Sequence, residues 1–204
     1  MRRGDTKQQF LLAALKLFAE NGYDSVSVAQ IAKQVGCSAP ALYKHYPSKK
    51  ALFDAIVEAS SNGYDERMKR IHEAIFNSGN SERPFIEEGQ IEIMKNLFIT
   101  TVSDEYPKLF REFVLSVHSK HPELAKEYNS RYIFSQYELY QKVILKLIEM
   151  GVLVDNDAEM MAIEYVSPIT LWVEACSREP ERKEEFLSLL EKHIRHFFNV
   201  YGKK

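Results

Sequence analysis

Apolar residues recur three and four positions apart along most of this 204-residue chain, and no stretch alternates as a strand would. The pattern predicts an all-α protein. A first helix is expected from about Thr6 to Asn21, opened by a capping box of Thr6 with Gln9 and closed by Gly22. Ser27 and Gln30 form a second capping box, and Val28, Ile31, Ala32 and Val35 then make one buried stripe. Gly36 suits a left-handed turn, Ser38 suits an N-cap, and Pro40 fits only the first turn of a short following helix. That helix has little to bury beyond Leu42 and one ring face, so it must rest on neighbours. Pro47 stops it, and Ser48 caps a fourth helix that extends past Ser60 and on to about Phe76.

Further on, Asn77-Ser78-Gly79-Asn80-Ser81 reads as a linker of turn residues. Helices are expected from about Pro84 to Val102, across 108–119, from Pro122 to Met150, from Asp157 to Arg178 and from Pro180 to Tyr201. A break is expected at residues 103–107. Pro168 lies inside one of these helices, where it removes a backbone hydrogen bond and bends the axis. That same helix is apolar over most of its circumference, from Met160 to Ala175. Such a helix must be buried on more than one side, which suits a place between a core and a subunit interface.

Two short helices joined at a glycine, the second carrying Tyr43, Lys44 and His45, spell a helix-turn-helix aimed at a phosphate backbone. The charge distribution sharpens this. Residues 1–50 hold eight Lys/Arg and three Asp/Glu, a net of +5. Residues 51–204 hold 19 and 26, a net of −7. A basic head on an acidic body is the electrostatic footprint of a nucleic-acid binder. The division expected is a DNA-binding domain over 1–50 and a second, helical domain over 51–204.

The first fifty-odd residues resemble the N-terminal domain of TetR/AcrR-type transcriptional regulators. The resemblance lies in Ala13-Ala14-Leu15-Lys16-Leu17-Phe18-Ala19-Glu20-Asn21-Gly22-Tyr23. It continues in Ile31-Ala32 before Gly36, and in Leu42-Tyr43-Lys44-His45-Tyr46-Pro47-Ser48-Lys49. Position 28 is Val and position 27 Ser where the family often has threonines, and position 46 is Tyr where Phe is commoner. The resemblance implies a ligand-responsive regulator, most simply a repressor. It would bind a palindromic operator as a homodimer joined through residues 159–201, and a small molecule would release it.

DNA-contact roles follow by position. Tyr43 and His45 are expected to reach phosphates, and Ala39 and Pro40 to approach base edges. Lys44 and Lys49 are expected to neutralise phosphates, and Ser27 and Ser38 to present helix N-termini. Gln34 and the basic arm Arg2-Arg3 are the remaining candidates for base reading. An effector site would draw on aromatic and polar groups of the body: Tyr106, Phe110, His118, Tyr128, Tyr132, Tyr137, Tyr165 and Trp172. The fourth helix is the covalent route from head to body and is expected to act as a lever.

Other chemistries find little support. No nucleophile elbow, kinase signature or phosphate loop occurs, so an enzyme is not expected. His118 with His121, and His193 with His196, lack a carboxylate or cysteine set, so neither a metal nor a cofactor is expected. Cys37 and Cys176 lie far apart and read as free thiols in a reducing cytoplasm. No apolar uncharged run reaches the roughly eighteen residues a membrane helix needs, and no h-region follows Met1-Arg2-Arg3. Two rival readings share the sequence: a DNA binder of the same fold without an effector, such as an architectural or cell-division factor, and a small-molecule-binding protein whose head serves another partner.

Overall fold

The computed structural model describes residues 3–76 and 85–203, without the side chains of residues 3–5 and Ala74. Among the described residues the chain is helical throughout, and its one β feature is an isolated bridge between Leu153 and Gly202. The order is α1 (Arg3–Asn21), α2 (Val28–Gln34), α3 (Ala39–Tyr43), α4 (Lys49–Phe76), α5 (Glu87–Ser103), α6 (Glu105–Val117), α7 (Pro122–Asn129), α8 (Ser135–Glu149), α9 (Ala158–Arg178) and α10 (Lys183–Tyr201). The linker expected at Asn77–Ser81 lies outside the described residues, as does Arg2.

Local signals set most boundaries. The Ser27–Gln30 capping box forms: the Gln30 N–H donates to Ser27 Oγ at 3.2 Å, and the Ser27 N–H donates to Gln30 Oε1 at 2.7 Å. Gly22 and Gly36 take left-handed φ angles of 77° and 71°, as the two helix ends require. Ser48 Oγ accepts the Ala51 N–H at 3.0 Å and so caps α4.

Three expectations need correction. Thr6 does not cap α1, which begins three residues earlier at Arg3. The break expected over 103–107 shrinks to Asp104, and Pro107 sits inside the first turn of α6, where a missing N–H costs nothing. The helix expected from Pro122 to Met150 is interrupted by a π-helical turn, Ser130–Phe134. Side chains take up carbonyls there: Ser135 Oγ donates to Arg131 O at 2.5 Å, and Gln136 Nε2 donates to Tyr132 O at 2.8 Å.

The contacts group into two compact units. The first comprises Met1–Asp65 with Glu105–Tyr128, and the second Glu66–Asp104 with Asn129–Lys204. In the first unit α1 packs on α6, and Phe113 stacks on Phe18 (6.0 Å between centroids) and meets Phe53 edge-on (5.2 Å). In the second unit the core gathers α5, α8, α9 and α10. Tyr165 is its centre. The ring stacks on Tyr140 at 5.2 Å, and the hydroxyl donates to buried Gln90 Oε1 at 3.2 Å. Burial pushes both phenols above their ordinary pKa. At the unit's surface Arg195 binds Glu87 (2.7 Å), Glu88 (2.8 Å) and Glu191 (3.0 Å), and Lys95 pairs with Glu191. This network ties α10 to α5.

Two glycines separate backbone strain from helix propensity. A Cβ at Gly36 meets nothing within 4 Å, so Gly36→Ala costs only the left-handed conformation, about 1–2 kcal/mol. Gly63 lies within α4 with equally open surroundings, and Gly63→Ala is expected to stabilise by about 0.5–1 kcal/mol. Urea unfolding of both variants checks the opposite signs.

Candidate nucleic-acid interface

The interface is built from the bottom of the first unit. After α2 ends, the Cys37 N–H donates back to Ala32 O at 2.8 Å and the Gly36 N–H to Lys33 O at 3.0 Å, which closes the turn. Five residues of α3 follow. Leu42 is wholly buried and anchors it, while Pro40, Tyr43 and Lys44 face solvent. Tyr46, buried beyond the helix end, donates its hydroxyl to Lys7 O on α1 at 3.2 Å. These two anchors hold the outer surface of α3 in place. Tyr43 is 50% exposed, so its ring and hydroxyl are open to a partner.

The structure places the other candidates as follows. Gln34 and Ser38 are exposed, and Ala39 is half-buried at the start of α3. Ser38 makes no side-chain cap, so its hydroxyl is not committed to the helix. The Ser27 hydroxyl is engaged inside its own cap, donating to Gln30 Oε1 at 2.8 Å. His45 lies beyond the end of α3, not on it, and its half-buried ring packs 5.8 Å from Phe10. Lys49 is also half-buried. Its Nζ sits 4.3 Å from the Tyr23 ring centroid and 5.8 Å from that of Phe18, and donates to Asp24 O at 3.4 Å. Desolvation lowers its pKa below the usual lysine value, with Asp24 opposing.

Lys7 and Lys33 are exposed cations of the same unit that the candidate set omitted. The signal for Lys33 was available: it is a basic residue in the last turn of α2, off the buried stripe.

The body residues proposed for an effector are divided between the two units. Tyr106, Phe110, His118 and Tyr128 belong to the first unit, and Tyr132, Tyr137, Tyr165 and Trp172 to the second. The Tyr106 hydroxyl donates to Ile56 O at 2.9 Å, and buried Phe110 packs against Phe113 and Tyr128. His118 is exposed, its Nδ1 2.7 Å from Leu115 O. Tyr132 lies in the π turn, and the Tyr137 hydroxyl is 3.3 Å from Ser167 Oγ. Trp172 meets His193 edge-on at 5.8 Å, and the His193 Nε2 lies 2.9 Å from Tyr165 O.

Residues 10–56 match the family model for bacterial regulatory proteins of the tetR family. The nucleoid occlusion factor SlmA of Aliivibrio fischeri (strain MJ11) is 34% identical over 73 residues, 35% of this chain and 37% of that protein. The HTH-type transcriptional regulator AcrR of Shigella flexneri is 39% identical over 62 residues, 30% of this chain and 29% of that protein. The chain thus matches about a third of the length of these curated relatives. Likeness of fold is wider. A TetR-family regulator from Mesorhizobium loti superimposes with a TM-score of 0.72 over 100% of both chains at 20% identity. SmeT in its triclosan complex gives 0.70 over 98% of this chain and 93% of that one, at 19% identity.

The geometry makes Tyr43 and Lys49 opposites, one outward and one packed. Lys49→Ala is expected to lower the unfolding free energy by about 1 kcal/mol through loss of the cation–π contact. Tyr43→Ala is expected to stay within about 0.5 kcal/mol of the parent. Equilibrium denaturation of both variants measures this, and a larger loss for Tyr43→Ala would refute the placement.

Proposed function

We propose that this chain, a helix-turn-helix transcriptional regulator of the TetR/AcrR family, is a ligand-responsive repressor that binds a palindromic operator as a homodimer. The observation that carries the reading is α3: a five-residue helix anchored by Leu42, which leaves Pro40, Tyr43 and Lys44 outward. In this reading Pro40 and Ala39 meet base edges, Tyr43, Lys44 and His45 meet phosphates, and Ser38, Ser27 and Gln34 flank them. Lys49 joins them by exchanging the Tyr23 ring for a phosphate.

Two further observations support assembly and response. Met160 and Leu171 on α9 are 49% and 66% exposed. They lie eleven residues apart, three turns of helix, so they project along one line. That line suits a symmetric contact with a second copy. On α10, Phe186, Leu190, Ile194 and Phe197 are buried in the chain's own core. Meanwhile α4 runs unbroken through residues 65 and 66, where the two units divide. A ligand that prefers one tilt of α4 shifts the spacing of two recognition helices, which must span half-sites roughly 34–36 Å apart. The SmeT–triclosan complex supports a small-molecule effector by likeness of fold. The match to SlmA favours a second reading, a nucleoid-associated DNA binder that needs no effector.

The test is fluorescence anisotropy with DNA from the chain's own upstream region across a salt series. Affinity is expected to fall steeply with salt, and Lys44→Ala to reduce the log–log slope by about one per subunit. Absence of salt-dependent binding to any such fragment would overturn the reading. Sedimentation of Leu171→Glu checks the interface: a dimer for the parent and a monomer for the variant are expected.

A further inference from the structure

The first unit contains a cavity that DNA recognition does not explain. Its volume is about 560 Å³, within the range of small-molecule sites. Phe53 and Leu124 are buried at its floor, with the half-buried rings of Tyr23 and His121 beside them. The rings form one cluster. His121 lies 5.0 Å from Phe53 and 6.2 Å from Tyr23, and Tyr23 meets Phe53 edge-on at 5.1 Å.

The rim has a definite sign. Asp54 and Glu58 rise from α4, and Glu123 and Glu127 from α7. Lys50 is the lining's only lysine, and it is paired with Asp54 at 2.8 Å. Glu58 is exposed, and its neighbour Ser61 donates to Glu127 Oε1 at 3.2 Å. Glu123 accepts from its own backbone N–H and lies 3.2 Å from His121 Nδ1, and both contacts hold its carboxyl below the usual range. Anionic walls over aromatic rings, in a unit whose N-terminal residues are net basic, call for a cation.

A bare metal ion does not answer that call. Among the described residues no three His, Cys, Asp or Glu side chains converge as ion ligands must. The carboxylates stand around a rim instead, over an apolar floor. We propose that this cavity binds an amphipathic organic cation, its apolar body on Phe53, Leu124 and the rings and its charge among Glu58, Glu123 and Glu127. The proposal concerns binding alone and does not depend on how the protein recognises DNA.

The experiment is calorimetric titration of the full-length protein with benzyltriethylammonium, with benzyl alcohol and benzoate as neutral and anionic counterparts. The cation is expected to bind at least tenfold more tightly than either. Glu58→Gln with Glu127→Gln is expected to weaken it about tenfold, since each partly exposed carboxylate contributes a few-fold. Val57→Trp puts an indole into the cavity and is expected to weaken binding about tenfold. Glu149→Gln, a surface carboxylate of the second unit, is expected to leave it unchanged, and thermal unfolding confirms that each variant folds. Equal affinity for cation and alcohol, or binding left unweakened by both Val57→Trp and the double variant, would overturn the proposal. A protein that binds DNA yet ignores the probe would lose this site alone and keep the regulatory reading.

Discussion

A five-residue helix cannot hold itself together in water, and the candidate interface depends on how α3 is held. Its only wholly buried side chain is Leu42. Gly36 sets the direction from which it arrives, and Tyr46 fastens the chain that leaves it to the backbone of α1. Phe10 and Phe18 on α1 are fully buried, so the support under α3 is itself rigid. The outward side chains can then be chosen for a partner, because none of them is needed to fold the helix.

The sequence was most legible where one residue governs one local choice. The Ser27–Gln30 box, Gly22, Gly36 and the Ser48 cap each act within four residues, and each stands where the pattern put it. Thr6 with Gln9 has the same spelling but sits inside α1, which already starts at Arg3. Packing across long separations left no such mark. Phe113 lies against Phe18 and Phe53, and Tyr106 reaches Ile56, yet α6 reads in sequence as an ordinary amphipathic helix. The exposure of Tyr43 and Lys44 was readable because neither shares the face of Leu42. The packing of His45 and Lys49 was not, because it depends on rings contributed by α1 and by the turn after it.

Charge counting shows the same limit. Eight basic residues in the first fifty suggest a uniformly cationic surface. In the folded unit Lys49 lies over Tyr23, Lys50 is held by Asp54, and Lys120 from the middle of the chain neutralises Asp24. Lys7, Lys16, Lys33 and Lys44 remain as exposed cations. The field that an approaching polyanion meets is set by these few groups, not by the net charge.

The π turn at Ser130–Phe134 carries a consequence for how this chain can vary. Such a turn is an α-helix with one residue too many, and each residue of a helix advances the phase by about 100°. Before it lies buried Leu124, and after it Leu139, Tyr140, Val143, Ile144 and Leu147 all face inward. Losing one residue there would regularise the helix and shift the phase of every later position by about 100°. A deletion in that turn is therefore a different event from a substitution there, which changes one side chain and leaves the phase of every later position unchanged.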